Sequence, residues 1–216
     1  MEEQLLEEVR HSFVSAERLS KHLVLDSVSL RVGKGEFVLI RGANGAGKST
    51  LLRIAAGLLR PEAGSATYAG RRLTDWRSRS GSVGFLPQSN ALYLELTVQE
   101  NFALARALGA PPRHRVDFSG VDLSGVDPFG ALVERLQLAP LLNKRVRDCS
   151  QGMQRRVAFA RMLLQQPALL LLDEPCAHID EEGKAAVVEL LLEAQGRGVG
   201  GIIVEHQLDA LARDDD

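Results

Sequence analysis

The chain has 216 residues, of which 45% are hydrophobic, with two cysteines and 26 basic against 28 acidic side chains for a net charge of −2. That length buries a substantial core and suits one domain, while the balanced charge excludes the one-sided basic excess of a nucleic-acid-binding face. Two cysteines form neither a disulfide framework nor a metal-ligand spacing, so a reducing compartment is expected.

The start, "MEEQLLEEVR", is acidic and lacks the charged-then-apolar order of a signal peptide. Leu5, Leu6, Val9 and Phe13 fall on one helical face and predict a short packing helix there. Short apolar runs predict strands over Val28 to Val32, Phe37 to Ile40, Val83 to Leu86, Ala168 to Leu172 and Ile202 to Val204. "FVLI", "ALLLL" and "IIV" are apolar on both faces, as in parallel strands covered from both sides. None is long enough to span a bilayer, so a soluble chain is expected.

Helical periodicity covers Lys48 to Leu58, Thr97 to Leu108, Gly130 to Leu138, Gln151 to Leu164 and Glu182 to Gln195. Strands alternating with helices give an α/β fold with a mainly parallel sheet. Between Gln88 and Cys149 the pattern turns helical, and residues 89–148 read as a small helical subdomain inserted into a core of 14–88 and 149–210. Within "TVQENFALARAL", Phe102 and Leu104 are candidates for an exposed docking edge. The tandem "DFSGV" and "DLSGV" spaces Asp117, Asp122 and Asp127 evenly. Calcium loops need alternate oxygen ligands, so a solvated loop is the reading.

"RGANGAGKST", 41–50, contains G-x-x-x-x-G-K-[ST] between a predicted strand and a predicted helix, the setting of a phosphate loop. Gly42, Ala43, Asn44, Gly45, Ala46, Gly47 and Thr50 form a cradle of inward backbone N–H groups at the positive end of the helix. Lys48 places an ammonium on the β- and γ-phosphates, and the Ser49 hydroxyl is a ligand for Mg²⁺. With 21 arginines against five lysines, a lysine here answers the need for a compact point charge. The core is therefore expected to be that of a P-loop NTPase.

"ALLLLDEP", 168–175, ends an apolar strand in two carboxylates. Asp173 is placed to hold Mg²⁺ through its water shell, and Glu174 to take a proton from the attacking water or orient it. "CSQGMQRR", 149–156, gives Ser150 as a helix N-cap and Gly152 as a point of close backbone approach. Alone, those eight residues fit an ordinary capped helix better.

The order of motifs resembles the ATP-binding subunit of an ABC transporter over about residues 14 to 210. It runs from the phosphate loop through "FLPQ", "SQGMQRR", "LLLLDEP" and "CAHID" to "VEH". The resemblance implies that Gln88 contacts the metal and the attacking water, and that His206 holds γ-phosphate and water. It implies that Ser150 and Gly152 bind the γ-phosphate of ATP held by a second copy or a homologous ATPase subunit, and that Asp180 lies in the loop crossing that interface. It further implies ATP and Mg²⁺ as cofactors, hydrolysis coupled to transport, and a separate transmembrane permease holding the chain at the inner face of the cell membrane. No nucleic-acid partner is expected.

Met153 stands where the family usually has glutamine, a form resembling exporter branches, with a haem exporter of cytochrome c maturation as the subfamily expectation. His178 replaces a small residue. The aromatic that stacks on adenine is missing, which leaves His22 and the more distant Phe13. The alternative is a soluble ABC ATPase acting on DNA or ribosomes. It is disfavoured because the chain carries one motif set, with no heptads and no C-x-x-C.

Overall fold

The computed structural model describes residues 4–15, 20–68, 71–72, 83–108 and 128–205. The strands are β1 Gln4–Ser15, β2 Ser20–Val32, β3 Phe37–Ile40, β4 Ala63–Tyr68, β5 Arg71–Arg72, β6 Val83–Leu86, β7 Leu169–Asp173 and β8 Gly200–Val204. The helices are α1 Lys48–Ala55, α2 Val98–Leu108, α3 Pro128–Arg135, α4 Gln151–Leu163 and α5 Glu181–Gly196. One sheet has the order β3-β8-β7-β6 and is parallel throughout; the other, β2-β1-β4-β5, is antiparallel. The segment carrying Asp117, Asp122 and Asp127 lies outside the described residues.

Strand β7 shows why its sequence is apolar without alternation. Leu169 and Leu171 join one buried cluster with Leu25, Leu52, Ile54 and Tyr68. Leu170 and Leu172 join the other, with Val157, Phe159, Val187 and Leu191. Successive strand residues point to opposite faces, so a strand covered on both sides needs a hydrophobe at every position. All four leucines are buried, each worth roughly 1.5–3 kcal/mol against exposure.

The first segment corrects the predicted packing helix. It is β1, joined to β2 in a hairpin that pairs Ser15 with Ser20 and Phe13 with His22. Shifts of register between Leu6 and Val9, and again between Val9 and His11, break the period of two that marks a strand. With the alternation interrupted, the leucines and valine fall at spacings that mimic a helix face. Strand β4 also went unpredicted. In "AGSATY" only Ala66 and Tyr68 are buried, too little apolar signal to stand out.

Helix α1 stops at Ala55, short of the predicted Leu58, because Gly57 adopts φ 62°. The Gly57 N–H then donates to Ile54 (2.9 Å) and the Leu58 N–H to Arg53 (2.8 Å). This paired closure ends a helix at a left-handed glycine.

Before helix α2, Thr97 and Glu100 cap one another. The Thr97 N–H donates to Glu100 Oε2 (2.7 Å), and the Glu100 N–H donates to Thr97 Oγ1 (3.1 Å). The helix turns Val98, Asn101 and Phe102 inward. Phe102 is 1% exposed and meets Phe129 edge to face, ring centres 5.4 Å apart at 75°. Phe102 is therefore core and not a docking edge, and Leu104 is half-buried. From α3, Arg135 reaches both carboxylate oxygens of Glu193 on α5 at 2.7 Å each, fastening this helical region to the α/β core.

Candidate functional site

Parallel pairing fixes where the site residues go. Val204 pairs with Ile40 on one side and with Asp173 on the other, and Leu172 pairs with Leu86. The carboxyl ends of β3, β8, β7 and β6 therefore share one edge of the sheet. The segments leaving them carry the phosphate loop, Glu205, Glu174 and Gln88. Ligands of open parallel sheets bind at this edge.

The phosphate loop leaves β3 and runs exposed from Arg41 to Ala46. Gly47, at φ 89°, precedes α1 as an N-cap without a side-chain oxygen, so no side chain caps the first-turn N–H groups. A Cβ there would lie 2.7 Å from the Val24 carbonyl oxygen, so both the left-handed backbone and the approach of β2 require glycine. The Lys48 ammonium sits within the loop and donates to the carbonyls of Gly42 (2.7 Å) and Ala43 (2.9 Å). Ser49 and Thr50 follow in the first turn, half-buried.

Asp173 ends β7 buried at 4% exposure. Glu174 follows at φ 53°, a left-handed conformation that is unusual for glutamate and turns the chain sharply off the strand. Its N–H donates to the Val204 carbonyl at 2.7 Å. Gln88 is exposed, two residues past β6. Beyond β8, Glu205 is 8% exposed and accepts from the Cys176 N–H at 3.3 Å. Burial, and then the Glu205 charge, push the Cys176 thiol up to about 12, which keeps it protonated and inert as a nucleophile. His206 lies outside the described residues, as do the side chains of His22 and Phe13.

Ser150 caps α4, its Oγ accepting from the Met153 N–H at 3.2 Å. Ser150 and Gln151 are exposed at that helix end. Gly152 does permit a close approach, and the structure shows one inside the chain: a Cβ there would run into the His178 carbonyl oxygen. His178 itself is exposed and left-handed, at φ 61°. Asp180 caps α5 through the Gly183 N–H at 2.9 Å.

The sequence reading missed Arg155. It is 2% exposed and bonds to both loops that carry Gln88 and Glu174. The available signal was the pair Arg155 and Arg156, set just ahead of the apolar "VAFA" in one helix.

The ABC transporter family model matches residues 25–177. The chain is 36% identical over 201 residues to the zinc import ATP-binding protein ZnuC of Paramagnetospirillum magneticum, which covers 90% of this chain and 67% of the relative. To the sn-glycerol-3-phosphate import ATP-binding protein UgpC of Paracoccus denitrificans it is 33% identical, over 82% of this chain and 46% of the relative. The chain thus spans about half the length of that second relative. Both carry import names, which gives no support to the exporter branch or to haem export read from the signature. Among solved structures, a dimeric post-hydrolysis state of an ATP-binding cassette bound to ADP and Pi matches with TM-score 0.78 and 27% identity, over 96% of this chain and 90% of that one. With the phosphate loop and the carboxylates gathered at one sheet edge, this chain belongs to the ABC transporter family of ATP-binding proteins and is an ATPase.

Proposed function

We propose that this ATPase powers a membrane transporter by closing as a dimer around two ATP molecules and reopening on hydrolysis. The observation that carries the reading is the shared sheet edge, which sets the loop of Lys48 after β3 and the carboxylates of Asp173 and Glu174 at the end of β7 on either side of β8. Lys48 is held inside its loop by carbonyls, from which a short shift of its ammonium reaches the β- and γ-phosphates. Gly42, Ala43, Asn44, Gly45, Ala46 and Gly47 offer backbone N–H groups to the same phosphates, and the uncapped end of α1 adds its dipole.

Ser49, Asp173 and Gln88 are hard oxygen donors of the kind Mg²⁺ takes. Mg²⁺ keeps several waters and takes phosphate oxygens, so few protein ligands are needed. When bound, Mg²⁺ supplies neutralisation of phosphate charge. Glu174 orients the attacking water and accepts its proton, and Gln88 and His206 hold that water in line.

The signature belongs to the partner's ATP in this scheme. Helix α4 packs on β6, at the opposite flank of the sheet from β3, about 14 Å away by three strand spacings. The helix end with exposed Ser150 and Gln151 suits the γ-phosphate of a second copy, with the half-buried Gly152 just behind it and Asp180 beside the interface. No described helix is long and apolar enough to cross a membrane; in this proposal a separate transmembrane permease holds the ATPase at the inner membrane face. Import is favoured over export by the names of these two relatives. Their cargoes, zinc and sn-glycerol-3-phosphate, differ so widely that the cargo is best assigned to another chain.

Mixing subunits tests the dimer. Lys48→Ala homodimers lack both phosphate loops and Ser150→Arg homodimers lack both signatures, whereas each heterodimer keeps one intact composite site. Mixing should restore part of the ATPase activity or, if both sites must fire together, restore ATP-dependent dimerisation seen by sedimentation. Hydrolysis by a strict monomer at every concentration would rule the scheme out.

A further inference from the structure

Helix α4 carries two consecutive arginines with different surroundings. Arg156 donates to the Leu136 carbonyl (3.4 Å) and Gln137 Oε1 (3.2 Å), and so belongs to the packing of the helical region. Arg155 is 2% exposed, and its guanidinium bonds to two segments at the carboxyl edge of the parallel sheet. Its Nη1 donates to the Pro87 carbonyl and to Asn90 Oδ1, both at 2.7 Å. Its Nε and Nη2 donate to the Glu174 carbonyl at 3.2 and 3.1 Å, and Nη2 also donates to the Asp173 carbonyl. Pro87 and Asn90 flank Gln88 and Ser89, and Glu174 is the proposed base.

Both loops hold backbone that non-glycine residues adopt only when neighbours fix it. Asn90 and Ala91 have φ 61° and 51°, and Glu174 has φ 53°. A planar guanidinium with five donors in a fixed fork can hold several carbonyls at set angles, and an ammonium on a flexible stem cannot. Burial pushes the Arg155 pKa down to about 10, opposed by the charges of Asp173 and Glu174, so the fork stays cationic near neutrality. Leucine or methionine at this depth would leave the Pro87, Asp173 and Glu174 carbonyls without these partners.

We propose that Arg155 is a positioning residue for hydrolysis, fixing the Gln88 loop and the Glu174 backbone in one rigid arrangement. The proposal rests on the roles given above to Gln88 and Glu174. Arg155 also lies five residues along the helix that Ser150 begins. A shift of that helix when its exposed end meets a phosphate therefore moves the clamp on the base in the same chain. The route from one composite site to the other is short: Ser150, one helical turn, Arg155, Glu174.

The test uses the full chain with Arg155→Gln and Arg155→Lys, measuring steady-state ATPase kinetics, ATP affinity by calorimetry and thermal midpoint. Arg155→Gln should lower kcat by about tenfold or more, while KM and the ATP Kd change less than about threefold, the mark of an interaction that serves the transition state. Arg155→Lys should fall between it and the native chain. Combined with Glu174→Gln, Arg155→Gln should add little further loss, because both act through one group. Losses that multiply independently, or a fall in kcat matched by an equal fall in ATP affinity, would overturn the proposal. If Arg155→Gln does not fold, Arg155→Lys decides alone, and native kcat in that variant overturns it. Full turnover in Glu174→Gln would remove the base assignment only; the split between kcat and KM in Arg155→Lys then still decides whether the fork serves hydrolysis.

Discussion

The backbone N–H of Glu174 donates to the Val204 carbonyl across 2.7 Å, tying the residue after β7 to the last residue of β8. Val204 is itself in register with Ile40, where the phosphate loop begins. The carboxylate proposed to act on water beside a γ-phosphate is thereby fixed to the strand that leads into the phosphate loop.

Glu174→Gln keeps the shape of the side chain and all of these backbone bonds while removing the proposed base. Turnover should fall by about 10²-fold or more, the usual contribution of a positioned base. ATP affinity should stay close to native, and the variant should accumulate as an ATP-bound dimer, since closure no longer ends in hydrolysis. Unchanged turnover would place the base elsewhere.

What could be read from the sequence follows the covering of each element. β7 has hydrophobes at every position because both faces are buried, α5 has a stripe because one side is, and α4 is buried all round from Arg155 to Ala160; all three were legible to within a residue or two. β1 was not, because its register shifts disturb the alternation and its second partner, β4, lies some fifty residues on. The phosphate loop was legible because a backbone cradle demands glycines at fixed spacing. Arg155 was not, because its role depends on Pro87, Asn90 and Glu174 converging from segments up to 68 residues away. Phe102 was misread for a related reason. Its partner Phe129 lies across a segment without periodicity, so nothing local marks it as core.

The cap at Thr97 makes one pH dependence explicit. Hydrogen bonds from the Thr97 N–H and hydroxyl hold the Glu100 carboxyl below its ordinary value of 4.5. A carboxylate with a depressed folded value stabilises the fold above the unfolded value, and that contribution is lost as pH falls through the lower folded value. Glu100→Gln keeps an acceptor for the Thr97 N–H but carries no charge at any pH. The native chain should therefore melt above Glu100→Gln near neutrality, with the gap closing in acid. The other carboxylates titrate alike in both proteins and cancel in the difference. A gap that stays constant from pH 6 to pH 3 would show that the charge contributes nothing at this cap.

The contact with a permease is best sought beside Phe102 and not at it. Asn101, 1% exposed, accepts from the Tyr93 N–H (2.9 Å) and donates to the carbonyls of Tyr93 and Thr97 (3.0 Å each). The loop before α2 is thus pinned by its backbone while the Tyr93 and Leu94 side chains stand 53% and 50% exposed. Rigid backbone with exposed hydrophobes is what a docking surface needs, and Gln88 lies five residues upstream of Tyr93 on the same connection. Phe102→Ala should cost about 3–5 kcal/mol of stability, as for a fully buried aromatic. Tyr93→Asp with Leu94→Asp should shift stability by only about 0.5 kcal/mol each, as expected of exposed positions. The double variant should keep the ATPase activity of the isolated chain and lose stimulation and transport in vesicles holding the permease. Normal transport by that folded double variant would move the docking surface off this loop, and a small effect of Phe102→Ala on the melting temperature would contradict its place in the core.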